Sequence, residues 1–208
     1  MRNLTFISSE IEKIIKKNSY MNIRENDSSF LELPIFGIAS AMKAKTIVEL
    51  GVRDGGTTLP LLLAANSNDG ILHSVDVNED YKCPSELKDN WVFHKKDTIQ
   101  FLTEWDKKNI IDLVYVDDWH SYDHVKEELK LLDAIISPKS IILLHDTMYG
   151  QWQPHYHCDL TVKHGQWANG GPYRAIAELD QNFWEFSTIP VNNGLTILRK
   201  KYSNKYNV

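Results

Sequence analysis

Cysteine is scarce in this chain. Only Cys83 and Cys158 occur among 208 residues, far apart and in no Cys-x-x-Cys spacing. That argues against a disulfide framework and makes a reducing, cytoplasmic setting the expectation. The first residues, Met1 to Phe6, lack the long apolar stretch of a signal peptide, and no apolar run approaches the length of a membrane span. Cationic residues are in the minority, with 23 Lys and Arg against 28 Asp and Glu and a formal net charge of −5. Phosphate recognition needs a concentrated cationic face, so neither nucleic acid nor a membrane is an expected partner. Lys13, Lys16 and Lys17, and later Arg199, Lys200 and Lys201, read as solvated helix and tail ends. Repeats, low-complexity tracts and linkers are absent. An apolar fraction of 42% and a charged fraction of 25% are ordinary for a globular chain. The expectation is one domain over 1–208, with 1–42 a helical extension and 43–201 the core.

What is present is an alternation of strand and helix patterns. Ser9 with Glu12 reads as a capping box, and Ile7, Ile11, Ile14 and Ile15 recur at helical spacing. A loop is expected over 18–30 and a short helix from Phe36 to Met42. The runs Thr46–Leu50, Ile71–Asp76, Trp91–His94, Asp112–Asp117 and Ile141–Leu144 read as buried strands. Between them, Leu59 to Ala65 is helical, with Thr57 or Thr58 as N-cap and Pro60 in the first turn. A stripe of Val125, Leu129, Leu132 and Ile136 follows Ser121 and is stopped by Pro138. An irregular aromatic segment, Tyr149 to Pro172, leads to a helix near Tyr173–Leu179. Strands Trp184–Ile189 and Leu195–Arg199 close the chain around an Asn192-Asn193-Gly194 hairpin turn. This order predicts an α/β, mostly parallel, doubly wound sheet with an antiparallel edge.

In such sheets ligands sit at the carboxyl ends of the strands. The first strand ends in Glu49-Leu50-Gly51, followed by Gly55, Gly56 and Thr57 and then a helix, so the backbone can approach a ligand closely. The second strand ends in Asp76, whose carboxylate can accept from both hydroxyls of a ribose, and Asp97 after the third can reach an adenine edge. Neither the G-x-G-x-x-G fingerprint nor a phosphate-binding G-K-[ST] is present. Glu49 suits a cationic ligand group better than a pyrophosphate.

The segment Val48-Glu49-Leu50-Gly51…Gly55-Gly56-Thr57 resembles the first motif of class I S-adenosylmethionine-dependent methyltransferases. Asp112 to Tyr122 resembles the D-G-D-H-S-Y stretch of small O-methyltransferases related to catechol and bacterial sugar O-methyltransferases, departing at Asp118 and Trp119. Ile142-Leu143-Leu144-His145-Asp146-Thr147 matches the next motif. The likeness spans roughly residues 35–200. It implies a Rossmann-like seven-stranded sheet and S-adenosylmethionine as cofactor, held by Glu49, Gly51, Gly55, Thr57, Asp76, Asp97 and Asp117. It further implies methylation of a small hydroxylated acceptor such as a sugar or secondary metabolite.

Asp117, Asp118, His120, His145 and Asp146 fall at neighbouring strand ends. Crowded carboxylates repel unless they share a cation or a proton, so Mg²⁺ or another divalent cation is one expectation and plain helix capping the other. By resemblance, Asp117 and Asp146 match metal ligands and Thr147 stands at the third ligand position. His120 stands where a general base is expected, with His145 a second base, a ligand or a structural residue. On the aromatic segment, His155, His157, Cys158 and His164 lack structural-zinc spacing and read, with Trp152 and Trp167, as a substrate wall or lid, or an oligomer contact. The N-terminal helix could cover a partner copy in a homo-oligomer, or the active-site mouth. Two rival functions share the scaffold: an oxygenase related to cephalosporin hydroxylases, and a cofactor-binding regulatory module without transferase activity.

Overall fold

The computed structural model describes residues 4–20, 28–148, 160–191 and 193–202. The strands form a seven-stranded sheet in the order β3-β2-β1-β4-β5-β7-β6. The chain divides into two compact units, Met1–Phe101 and Leu102–Val208.

The first unit contains α1 (Leu4–Tyr20), α2 (Glu32–Ala41), β1 (Thr46–Leu50), α3 (Thr58–Ser67), β2 (Ile71–Asp76), β3 (Trp91–Lys95) and the start of α4 (Thr98–Glu104), which runs on past Phe101. Helix α1 begins at Leu4, so Ser9 and Glu12 lie inside it and form no capping box; the apolar stripe runs on N-terminally through Phe6 and Ile7. Of the loop expected over 18–30, residues 18–20 belong to α1, a 3-10 turn begins at Ser28 and residues 21–27 lie outside the described residues; α2 starts four residues early because Pro34 is tolerated in its first turn. Strands β1, β2 and β3 pair in parallel, with Val48 opposite His73 and His73 opposite Val92. Helix α3 is apolar on every side, and Leu61, Leu62, Leu63, Ala64 and Ala65 are all fully buried. Helix α4, for which the sequence gives no expectation, is short, with Ile99, Phe101 and Leu102 its apolar residues and the last two buried.

The second unit holds β4 (Ile111–Val116), α5 (Tyr122–Asp133), β5 (Ile136–His145), α6 (Gly171–Ala177), β6 (Trp184–Ile189) and β7 (Leu195–Lys200). Ser121 caps α5 as expected, its Oγ accepting from the His124 N–H at 3.4 Å. The helix stops at Asp133, and Ile136 and Pro138 belong to β5. Proline is tolerated there because the β4–β5 register slips between Ile111↔Ile136 and Leu113↔Ile141. The Ser140 hydroxyl replaces part of the ladder by donating to the Ile111 carbonyl at 2.6 Å. Strand β7 then runs antiparallel to both β5 and β6, with Gly194 at φ +88° completing the hairpin turn.

Candidate functional site

The glycine turn is built around a buried carboxylate. Glu49 has no solvent exposure and accepts from Thr57 Oγ1 at 2.8 Å, from Thr58 Oγ1 at 2.9 and 3.0 Å, and from Ser74 Oγ at 2.7 Å. Trp91 Nε1 donates in turn to Ser74 Oγ at 2.9 Å. A buried carboxylate is tolerable only when several donors replace its water. Thr57 therefore spends its hydroxyl on Glu49; it makes no side-chain cap on α3, contrary to expectation. Gly51 and Gly55 take φ of +89° and +84°, and Arg53 between them takes +51°.

Asp76 leaves β2 facing this turn. Its Oδ2 accepts from the Val52 and Arg53 N–H groups at 2.8 and 3.0 Å, and Oδ1 from the Asn78 N–H at 2.9 Å. Partial burial raises its pKa, but the backbone donors Arg53, Asn78, Val52 and Val77 outweigh it and hold the carboxyl below its ordinary value. Asp97 is exposed and caps α4, accepting from the Gln100 N–H at 3.1 Å.

A second constellation stands at the ends of β4 and β5. Asp117 Oδ1 lies 3.1 Å from His120 Nε2 and 3.1 Å from His145 Nδ1, while Tyr115 Oη donates to Asp117 Oδ2 at 3.1 Å. His120 Nε2 is also 3.0 Å from Asp146 Oδ2, so one ring nitrogen sits between two carboxylates. Burial lowers the His120 pKa, yet the hydrogen bonds and charges of Asp117 and Asp146 prevail and push it up to about 10. Burial raises the Asp117 pKa, but His145 and His120 together hold it well below the carboxylate range, and Asp146 is lowered in the same way. His120 is thus protonated at neutral pH, not poised near its ordinary value. Its ring stacks on Trp167, 4.2 Å between centroids at 23°.

His120 Nδ1 and the buried Asp146 Oδ1 make no hydrogen bond, although Asp146 Oδ1 lies at ion-pair distance, 3.5 Å, from His145 Nδ1. Asp146 also takes φ +55°, a conformation that Asp tolerates better than most residues. Asp117, His120 and Asp146 bring ligand atoms within 4.8 Å of one another, and that set with an orphaned carboxylate oxygen fits a divalent cation. Thr147, the expected third ligand, follows Asp146 directly. Its buried Oγ1 accepts from Thr196 Oγ1 at 2.7 Å, within a hydroxyl chain that continues to Thr188.

Asp118 turns instead to α5, where His124 Nε2 lies 2.8 Å from Asp118 Oδ2 and 3.5 Å from Oε1 of fully buried Glu128. Burial lowers the His124 pKa, but both carboxylates raise it to about 10, so an imidazolium ties the strand end to the helix. Sequence reading missed this group and the Ser74–Trp91 support of Glu49. The i, i+4 spacing of His124 and Glu128 was its one visible signal. His164 is exposed, whereas Trp152, His155, His157 and Cys158 lie outside the described residues.

The seven-stranded sheet has the mostly parallel, Rossmann-like order with an antiparallel edge that the sequence predicts. Residues 48–147 match the family model described as a methyltransferase domain. Among solved structures, it is similar to an O-methyltransferase from Bacillus cereus in complex with SAH (TM-score 0.64, 14% identity, covering 93% of this chain and 91% of that one). It is also similar to the O-methyltransferase TomG from Streptomyces achromogenes in complex with SAM, which is involved in tomaymycin synthesis (TM-score 0.64, 13% identity, coverage 94% and 90%). SAH-bound PaMTH1, a methyltransferase from Podospora anserina, is a third (TM-score 0.62, 16% identity, coverage 92% and 87%). At such identities these likenesses establish the fold. No curated protein matches the chain. Among the described residues, no helix is long and apolar enough to cross a membrane.

Proposed function

We propose that this chain transfers a methyl group from S-adenosylmethionine to a hydroxyl of a small acceptor, with a sugar or secondary metabolite as the class. The observation that carries the reading is the convergence of Asp117, His120 and Asp146 at two strand ends of a chain whose residues 48–147 match a methyltransferase domain. On the cofactor side, Gly51 and Gly55 admit the ligand to the backbone, while Glu49 and Thr57 hold the shape of the turn. Asp76 takes the ribose hydroxyls, exchanging its turn N–H donors for them, and Asp97 lies toward the adenine. Asp117 serves the cofactor end as well as the acceptor end.

Methyl transfer forms a carbon–oxygen bond as the carbon–sulfur bond breaks, and the acceptor hydroxyl must lose its proton. His120 is the group placed to take it. Nε2–H is held between Asp117 and Asp146, so Nδ1 is the nitrogen that exchanges a proton, and it acts as the base once the imidazolium has released its Nδ1 proton. His145 holds Asp117 in place through Nδ1. Mg²⁺ or another divalent cation, held by Asp117 and Asp146, would supply positive charge that lowers the pKa of neighbouring groups. Trp167, stacked on His120, forms one side of the acceptor position.

The test is calorimetric titration with S-adenosylhomocysteine, with and without Mg²⁺, followed by turnover on hydroxylated acceptors. Asp76→Ala is expected to abolish cofactor binding. His120→Ala is expected to bind normally and lose about 10²–10⁴-fold in turnover. Equal loss of binding in both variants refutes the division of roles, and a product heavier by an oxygen instead of a methylene refutes methyl transfer.

A further inference from the structure

The segment 77–84 leaves β2 directly after Asp76 and runs over the surface. Val77 is 59% exposed, and Asn78, Glu79, Asp80 and Lys82 are exposed as well. Tyr81 is the exception. Its ring turns inward and lies against Gly55, so closely that a Cβ on that glycine would fall 1.9 Å from Tyr81 Cδ2 and 2.4 Å from Cε2. The ring packs edge-on against Trp91, with centroids 5.7 Å apart at 89°. Trp91 belongs to the hydrogen-bonded chain through Ser74 to Glu49, so Tyr81 completes the glycine turn from outside.

A glycine in a ligand turn lets another group approach where a side chain would stand. Here the group that has approached is Tyr81 of the same chain. Asp76 shows the same self-satisfaction, because its carboxylate already accepts from the Val52 and Arg53 N–H groups of that turn. The turn is therefore closed by its own residues at two points. There is also room for the strap to leave. A hollow of about 620 Å³ is lined by Lys82 and Cys83 of the strap together with Lys88 and Trp91, the residue the ring packs on. The backbone anchors flanking Tyr81 are few: the Asn78 N–H to Asp76 on one side, and the turn from Pro84 to Leu87 on the other.

We propose that Tyr81 is a gate on the glycine turn: its ring covers the face of Gly55 and is displaced when cofactor enters. This rests on the assignment of the turn to S-adenosylmethionine. A gate closed nine-tenths of the time weakens apparent affinity about tenfold, because only the open fraction binds. Removing the ring removes that penalty, whereas a ring that merely supports the turn would, when removed, weaken binding.

The experiment is titration and stopped-flow mixing of the full chain with S-adenosylhomocysteine, comparing wild type, Tyr81→Ala and Tyr81→Phe. The gate predicts five- to tenfold tighter binding for Tyr81→Ala, carried by a faster association rate, with Tyr81→Phe behaving as wild type because the ring does the blocking. In the wild type the observed rate should level off at high ligand, since opening limits it. Should Tyr81→Ala fail to fold, the wild-type rates decide alone, and a rate rising linearly without limit overturns the gate. Equal or weaker binding by a folded Tyr81→Ala overturns it while leaving the cofactor assignment standing. No binding by any of the three overturns both.

Discussion

Asp146→Asn isolates the electrostatics of the reaction end. Asparagine is nearly isosteric with aspartate and tolerates φ +55°, so the substitution removes charge without disturbing the backbone. In the wild type the two carboxylates raise His120 from 6.5 to about 10. At about 1.4 kcal/mol per pKa unit, the difference is on the order of 5 kcal/mol of preference for the imidazolium. Removing Asp146 takes away one of the two charges that outweigh burial, so about half of that preference disappears and the His120 pKa should fall clearly below about 10. A raised folded-state pKa contributes stability that is fully present below 6.5 and lost as pH rises through about 10. In Asp146→Asn that loss should come earlier, and stability at neutral pH should fall by roughly 2–3 kcal/mol. Side-chain NMR titration of His120 in chelator-treated protein measures the first quantity, and urea denaturation between pH 6 and pH 10 the second. A His120 that titrates near 6.5 in the wild type, or stays near 10 in Asp146→Asn, refutes the reasoning.

Two further substitutions test the supports around the candidate site. Glu49→Ala strands the hydroxyls of Thr57, Thr58 and Ser74 in a dry interior and should cost about 3–5 kcal/mol by chemical denaturation, whereas Glu49→Gln, which keeps an acceptor, should cost less. Thr147→Val breaks the bond from Thr196 and should cost about 1 kcal/mol while leaving divalent-cation binding by calorimetry unchanged; a loss of binding would restore Thr147 as a ligand.

Most strands were legible because a buried strand must be apolar and must stop at a polar or glycine residue, as at Leu50–Gly51 and Asp76. The convergence of Asp117, His120 and Asp146 was legible for a related reason, since adjacent strand ends bring their next residues together. What escaped was decided by tertiary partners. Thr57 has the chemistry of a helix cap, and only the burial of Glu49 beside it diverts the hydroxyl. Pro138 reads as a helix stop until β4 supplies a neighbour whose register accepts it. His120 looks like a base near its ordinary pKa because a sequence does not show two carboxylates closing on one nitrogen. Tyr81 carries no signal, being one aromatic in a polar stretch.

The burial of α3 from Pro60 to Ala65 has a consequence for how the glycine turn opens. A helix without a wet face has no partial unfolding route that leaves the rest intact, so its amide protons should exchange only through global unfolding. The exposed segment after Asp76 has few hydrogen bonds to break and should exchange orders of magnitude faster. The glycine turn lies between these extremes, its C-terminal end continuous with the slowest-exchanging helix and its outer face covered by a fast-exchanging segment. A ligand entering there works against the segment alone, and the helix that receives it is already in place.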